Sequence, residues 1–164
     1  MAKFVGIALF TRLVEGGPLV VILQRRGARN MEKPGFPPES FPWGLQVTVL
    51  GGVADETAEA VDELFREADE ELGDSCFLPE DPTLLTEVGA RVAIFAGFTD
   101  PGNVPRFALH AGSGGIDFFT LEQVRHGIIP ITRENRATFD ARSHDAMMFD
   151  ERDAVLKGFE LLAS

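Results

Sequence analysis

The chain has 164 residues, of which 45% are hydrophobic and 25% charged, and it carries a net charge of −11 at pH 7. This length and apolar content suit one domain spanning residues 1–164 that buries roughly 70% of its unfolded surface, while the acidic balance argues against a duplex nucleic-acid binder, which needs a basic footprint to displace counterions. Cys76 is the one cysteine, so no intramolecular disulfide can form and a reducing cytoplasm is the expected setting.

In chain order, the first element is an apolar run, FVGIALF, closed by Thr11-Arg12. It is too short to span a bilayer and has no small-residue cleavage pattern, so it reads as a buried strand, and no membrane association is expected. Lys3 to Phe10 and Leu19 to Gln24 form two strands joined by the turn cluster Glu15-Gly16-Gly17-Pro18. Residues 26 to 43 lack any period and contain Lys33-Pro34-Gly35-Phe36-Pro37-Pro38, which makes them a long loop. Leu45 to Leu50 alternates apolar residues with Gln46 and Thr48 and reads as a half-buried strand.

The spacing then predicts a helix from Ala58 to Leu72. Val61, Leu64, Phe65, Ala68 and Leu72 repeat as a docking stripe, and Gly73 supplies a left-handed stop. Beyond it come a loop with Pro79 and Pro82, then strands at Arg91 to Phe98, Arg106 to His110 and Ile116 to Phe119. Val92 to Ala96 is apolar on both faces, which suits a central strand. Asp150 and Asp153 resemble an acidic N-cap box for a terminal helix whose buried stripe is Val155, Leu156, Phe159 and Leu162. Strands with few, segregated helices imply an α+β fold.

The acidic face of the predicted helix is the unusual feature. Glu59, Glu63, Glu67 and Glu71 are successive i,i+4 neighbours, and Glu70 lies one turn after Glu67. Each such like-charged pair costs roughly 0.2–0.5 kcal/mol. Arg66 offsets part of this, with Asp62 and Glu70 as its i,i+4 partners. A solvated acidic face is one reading; a site for a hard divalent cation is the other. Glu67, Glu70 and Glu71 have the i, i+3, i+4 spacing that can converge on Mg²⁺ or Mn²⁺, and Gly51-Gly52 lets backbone approach closely.

This stretch resembles the signature of the Nudix hydrolases: Gly52, then Arg66-Glu67, Glu70-Glu71 and Gly73 fall at the family's spacing, with Ala68 as a small apolar residue. The resemblance extends loosely over residues 3 to about 130, through VVILQRRG, LQVTVLGG and IDFFTLEQV. Two positions depart from it: the first signature glutamate is Ala58, with Glu59 one residue late, and the last apolar position is Asp74. One helical position is about 100° of rotation, so Glu59 does not automatically replace the missing carboxylate.

The resemblance implies an α/β/α sandwich with a mixed β-sheet. It also implies a Mg²⁺- or Mn²⁺-dependent pyrophosphohydrolase, cleaving a nucleoside diphosphate linked to another group by water attack on phosphorus. Glu67, Glu70 and Glu71 are then the metal ligands, with the Gly52 carbonyl a further one. Arg66 fixes a ligand, and the general base is Glu67, Glu70 or His110. The alternative is a catalytically impaired module that binds a nucleotide without turnover, its signature damaged at Ala58. Arg25, Arg26, Arg29 and Lys33 lie where they could meet phosphates, and Phe41 and Trp43 could stack on a base. The expected partner is a small phosphorylated molecule, a nucleotide derivative above all; a homodimer is compatible with this reading.

Overall fold

The computed structural model describes residues 3–31, 33–38, 45–54, 59–88, 92–109, 113–136 and 145–163, and every structural statement here concerns these. They form nine strands, β1 (Lys3–Thr11), β2 (Val20–Arg26), β3 (Gln46–Thr48), β4 (Leu50–Ala54), β5 (Thr83–Val88), β6 (Val92–Phe98), β7 (Ser113–Thr120), β8 (Ile129–Ile131) and β9 (Ala146–Met148). Three α-helices accompany them: α1 (Ala60–Glu71), α2 (Leu121–Gly127) and α3 (Phe149–Leu162).

The sheet is mixed. β1 pairs antiparallel with β2 and parallel with β6, which in turn pairs antiparallel with β5. β1 and β2 stay together only from Leu9 to Thr11 and from Val20 to Ile22. Beyond that they splay, and the segment from Gln46 to Ala54 fills the gap: β3 pairs with β2, and β4 with β1. Val49 is the crossing point, so the strand expected from Leu45 to Leu50 is two strands with different partners. On its other edge β2 pairs with β7.

Side-chain alternation assigns the two faces. Val5, Ile7, Leu9 and Ile22 meet Leu64, Ala68 and Leu72 of α1 on one face. Ala8, Phe10, Val21 and Leu23 meet Val124 of α2 and Val155 and Phe159 of α3 on the other, with the Phe10 and Phe159 rings edge to face at 4.9 Å. The result is the α/β/α sandwich with a mixed sheet that the sequence implied.

Several expectations are corrected. Gln46 and Thr48 are buried, at 0% and 3% exposure, where alternation had put them in solvent; Gln46 Nε2 bonds Asp117 and Thr48 Oγ1 bonds Glu151. No strand runs from Arg106: residues 101–106 are a 3-10 helix opened by Pro101. α3 starts after Met148 with no side-chain cap, and Asp150 lies inside its first turn. Strands β5, β8 and β9 had no counterpart in the sequence reading.

Candidate functional site

α1 follows Glu59, whose backbone is extended, and its last turn closes with the Leu72 N–H on the Ala68 carbonyl before Gly73 at φ 90°. Glycine adopts that left-handed geometry without the strain other residues meet. Because Leu64, Ala68 and Leu72 are buried on the sheet, the rotation of α1 is fixed, and Glu63, Glu67 and Glu70 align along one flank. Glu63 and Glu67 are themselves buried, at 7% and 8% exposure, whereas Glu70 is exposed and Glu71 half-buried.

Arg66 gathers these carboxylates. Its Nη2 donates to Glu63 Oε2 at 2.7 Å and to Glu67 Oε1 at 2.9 Å, Nε donates to both Glu63 oxygens at 3.1 and 3.2 Å, and Nη1 donates to Glu70 Oε1 at 2.9 Å. Glu63 takes the place expected for Asp62, since a buried carboxylate without a charged donor is costly whereas an exposed one is not. The hydrogen bond to Glu63 raises the guanidinium pKa above its ordinary value against the opposing effect of burial, and the charges of Glu63, Glu67 and Glu70 add to it.

The donor set suits a hard cation. Glu67 and Glu70 each give Arg66 one oxygen, Oε1, so their second oxygens are not engaged by it, and carboxylate oxygens are the ligands Mg²⁺ and Mn²⁺ take. One guanidinium among three carboxylates leaves the flank with an excess of negative charge. Among the described residues no three His, Cys, Asp or Glu side chains converge as a metal cage; the carboxylates are organised by Arg66. Gly52 lies in β4 opposite Val5, and α1 packs on β4 and β1.

The basic residues are placed differently. Arg25 Nε is 3.0 Å from Asp117 Oδ2, and its partner across β2 and β3 is Gln46, whose Nε2 donates to the same Asp117 oxygen at 2.8 Å. Arg25 therefore lies on the α3 face, opposite α1. Arg26 is exposed at the end of β2, its N–H bonded to the Leu45 carbonyl at 2.8 Å. Arg29 donates to the Phe36 carbonyl at 3.2 Å, and Lys33 is exposed. Phe41, Trp43, Ala58 and His110 lie outside the described residues.

Next to Gln46, the Thr48 N–H donates to Glu151 Oε1 at 3.4 Å, and Thr48 Oγ1 lies 3.1 Å from the same oxygen. Burial pushes the Glu151 carboxyl up to about 7, with Asp150 adding to the rise and the Thr48 hydrogen bonds and Arg26 opposing it. The sequence reading missed this group; Asp117 inside an apolar strand was its one visible signal. Cys76 is exposed, and the neighbouring Asp74 raises its thiol pKa, so nothing favours it as a nucleophile. Among the described residues no helix is long and apolar enough to cross a membrane.

This sandwich, with a carboxylate-lined helix packed behind a paired β4, is the Nudix fold. The solved structures that share it include a mutT/nudix family protein from Listeria innocua, 18% identical over 99% of this chain and 94% of its own, with a TM-score of 0.65. A C. elegans Ap4A hydrolase binary complex is 13% identical over 99% and 98% of the two chains, with a TM-score of 0.55. The NUDIX domain of Shewanella oneidensis NrtR, complexed with ADP ribose, is 15% identical over 98% and 87%, with a TM-score of 0.53. No family model and no curated protein matches the chain.

Proposed function

We propose that this protein is a divalent-cation-dependent pyrophosphohydrolase acting on a nucleoside diphosphate linked to another group. The observation that carries the reading is the set of carboxylates Glu63, Glu67 and Glu70 held by the single Arg66 fork on a helix fixed against β4. A hydrolase of a polyanion needs oxygen ligands for a cation and a carboxylate able to take a proton, and one rigid helical flank offers both.

In this reading Glu67, Glu70 and Glu71 hold Mg²⁺ or Mn²⁺, with the Gly52 carbonyl as a further ligand. The cation, when bound, neutralises the diphosphate oxygens and lowers the pKa of water. Arg66 supplies orientation: its planar fork restrains Glu67 and Glu70 at once, and Glu63 anchors the fork from beneath. Glu70 or Glu67 takes the proton of the water as its oxygen attacks phosphorus and the bridging P–O bond breaks. Arg26 and Trp43 are the substrate contacts, with Arg25 joining them if the substrate phosphate competes with Asp117. The substrate is a small molecule, and the ADP ribose and Ap4A named for the structural neighbours are the first probes.

Ala58 supports a second reading, a module that binds such a nucleotide without turning it over, because the first signature carboxylate is missing. One assay separates the two. Purified protein with Mg²⁺ or Mn²⁺ is incubated with ADP ribose, Ap4A and other nucleoside diphosphate derivatives, and nucleoside monophosphate release is followed. Metal-dependent release abolished by Glu70→Gln supports the hydrolase; binding without release supports the module.

A further inference from the structure

The hydroxyl of Thr48 has two neighbours and one proton. Its Oγ1 lies 3.1 Å from the Leu50 carbonyl oxygen and 3.1 Å from Glu151 Oε1. A hydroxyl donates once and otherwise accepts. Both contacts are hydrogen bonds at the same time only when Glu151 is protonated and gives its own O–H to Thr48 Oγ1. An ionised Glu151 has no proton to give, so the hydroxyl turns to the carboxylate and the Leu50 carbonyl loses this donor.

The location makes the exchange consequential. Thr48 ends β3 and Leu50 begins β4, on either side of the crossing from β2 to β1, and Gly51 and Gly52 follow directly. The crossing is tight: a Cβ on Gly6 of β1 would stand 3.1 Å from the Leu50 oxygen and 3.3 Å from Thr48 Oγ1. A hydrogen bond across it therefore bears on the path of the backbone toward α1.

We propose that Glu151 is a proton-dependent positioning residue, whose proton ties the Thr48 hydroxyl to the Leu50 carbonyl and so sets the β3–β4 crossing that leads to Gly51 and Gly52. Burial lifts this carboxyl toward neutrality, to about 7, which places the exchange where ordinary changes of pH reach it. The charges that act on it are Asp150 beside it on α3 and Arg26 on β2. Arg25 and Asp117 on the same sheet face are paired with each other. On α2, Glu122 is paired with Arg125 and His126. β6, β8 and β9 carry no charged residue, and Lys3 and Glu87 are those of β1 and β5. The effect on turnover rests on the hydrolase reading; the hydrogen-bond exchange does not.

The test is an NMR titration of labelled full-length protein between about pH 5 and pH 9, following the Glu151 carboxyl carbon and the Gly51 and Gly52 amides. The expected result is one shared inflection near neutrality. Glu151→Gln, which carries an N–H donor at every pH, and Thr48→Val, which lacks the hydroxyl, lose the glycine inflection; Thr48→Ser, which keeps the hydroxyl, retains it. A Glu151 carboxyl that titrates at its ordinary 4.5, or a glycine inflection that survives in Glu151→Gln, overturns the proposal. If Thr48→Val does not fold, Glu151→Gln and Thr48→Ser decide. Absence of hydrolysis with the shared inflection intact removes the enzymatic reading and leaves this one standing.

Discussion

Arg66 and Glu63 meet fork to fork, with Nη2 2.7 Å from Oε2 and Nε 3.2 Å from Oε1. This pair is the foundation of the acidic flank, because the same guanidinium reaches on to Glu67 and Glu70. A lysine carries the same charge without the planar fork. Arg66→Lys is expected to leave the far-ultraviolet spectrum of the protein intact and to lower kcat by roughly 10- to 100-fold, the cost of letting reacting groups drift by about an ångström. Steady-state kinetics on whichever nucleoside diphosphate derivative proves active checks this.

Glu151 makes stability depend on pH in a definite direction. Its folded pKa of about 7 lies above the ordinary 4.5, so the native state binds its proton more tightly than the unfolded chain does. The group's contribution is fully present below pH 4.5 and is lost as pH rises through 7. Glu151→Gln removes this dependence. Relative to the parent protein, the variant gains on the order of 1 to 3 kcal/mol between the acidic and the alkaline side of that window, measured by urea denaturation on each side.

Gly6 leaves space that two oxygens occupy. Gly6→Ala places a methyl 3.1 Å from the Leu50 carbonyl, which is backbone and cannot move aside cheaply. A loss of about 1 to 3 kcal/mol is expected. Gly102→Ala, with nothing within 4 Å of the added carbon, is the control and stays within roughly 0.5 kcal/mol of the parent.

On the α3 face the edge-to-face contact of Phe10 and Phe159 joins the terminal helix to β1. Both rings are fully buried. Phe159→Ala is expected to cost about 3 to 5 kcal/mol, and Phe159→Leu less, because leucine fills most of the space. Denaturant midpoints of the two variants against the parent measure the difference.

The sequence made long, strongly periodic elements legible. The β1–β2 hairpin, α1 with its Gly73 stop, central β6, β7 and the apolar stripe of α3 all follow from local spacing. Three-residue β8 and β9 contain too few residues to show a period, and β5 sits at the sheet edge with Leu84 exposed, so alternation gave no sign of it. Gln46 and Thr48 were misassigned to solvent because the carboxylates they bond lie 71 and 103 residues away. Periodicity registers polarity and is blind to a distant partner.

At the site, the sequence placed Arg66 among carboxylates correctly but gave it Asp62 where the fold gives it Glu63. Spacing treats i−3 and i−4 alike; the burial of Glu63, at 7% exposure, decides between them. Arg25 was expected at the phosphates from its charge alone; the fold adds a partner that charge does not show, Asp117, brought alongside by the β2–β7 pairing.

Whether the α1 flank takes a divalent cation is read directly by calorimetric titration of the protein with Mn²⁺, which requires no substrate. The expected result is saturable binding that is weakened at least tenfold by Glu67→Gln or Glu70→Gln and accompanied by a rise in thermal midpoint. Absence of binding, or binding that Glu67→Gln and Glu70→Gln together leave unchanged, contradicts the account and reduces the flank to an acidic surface braced by Arg66.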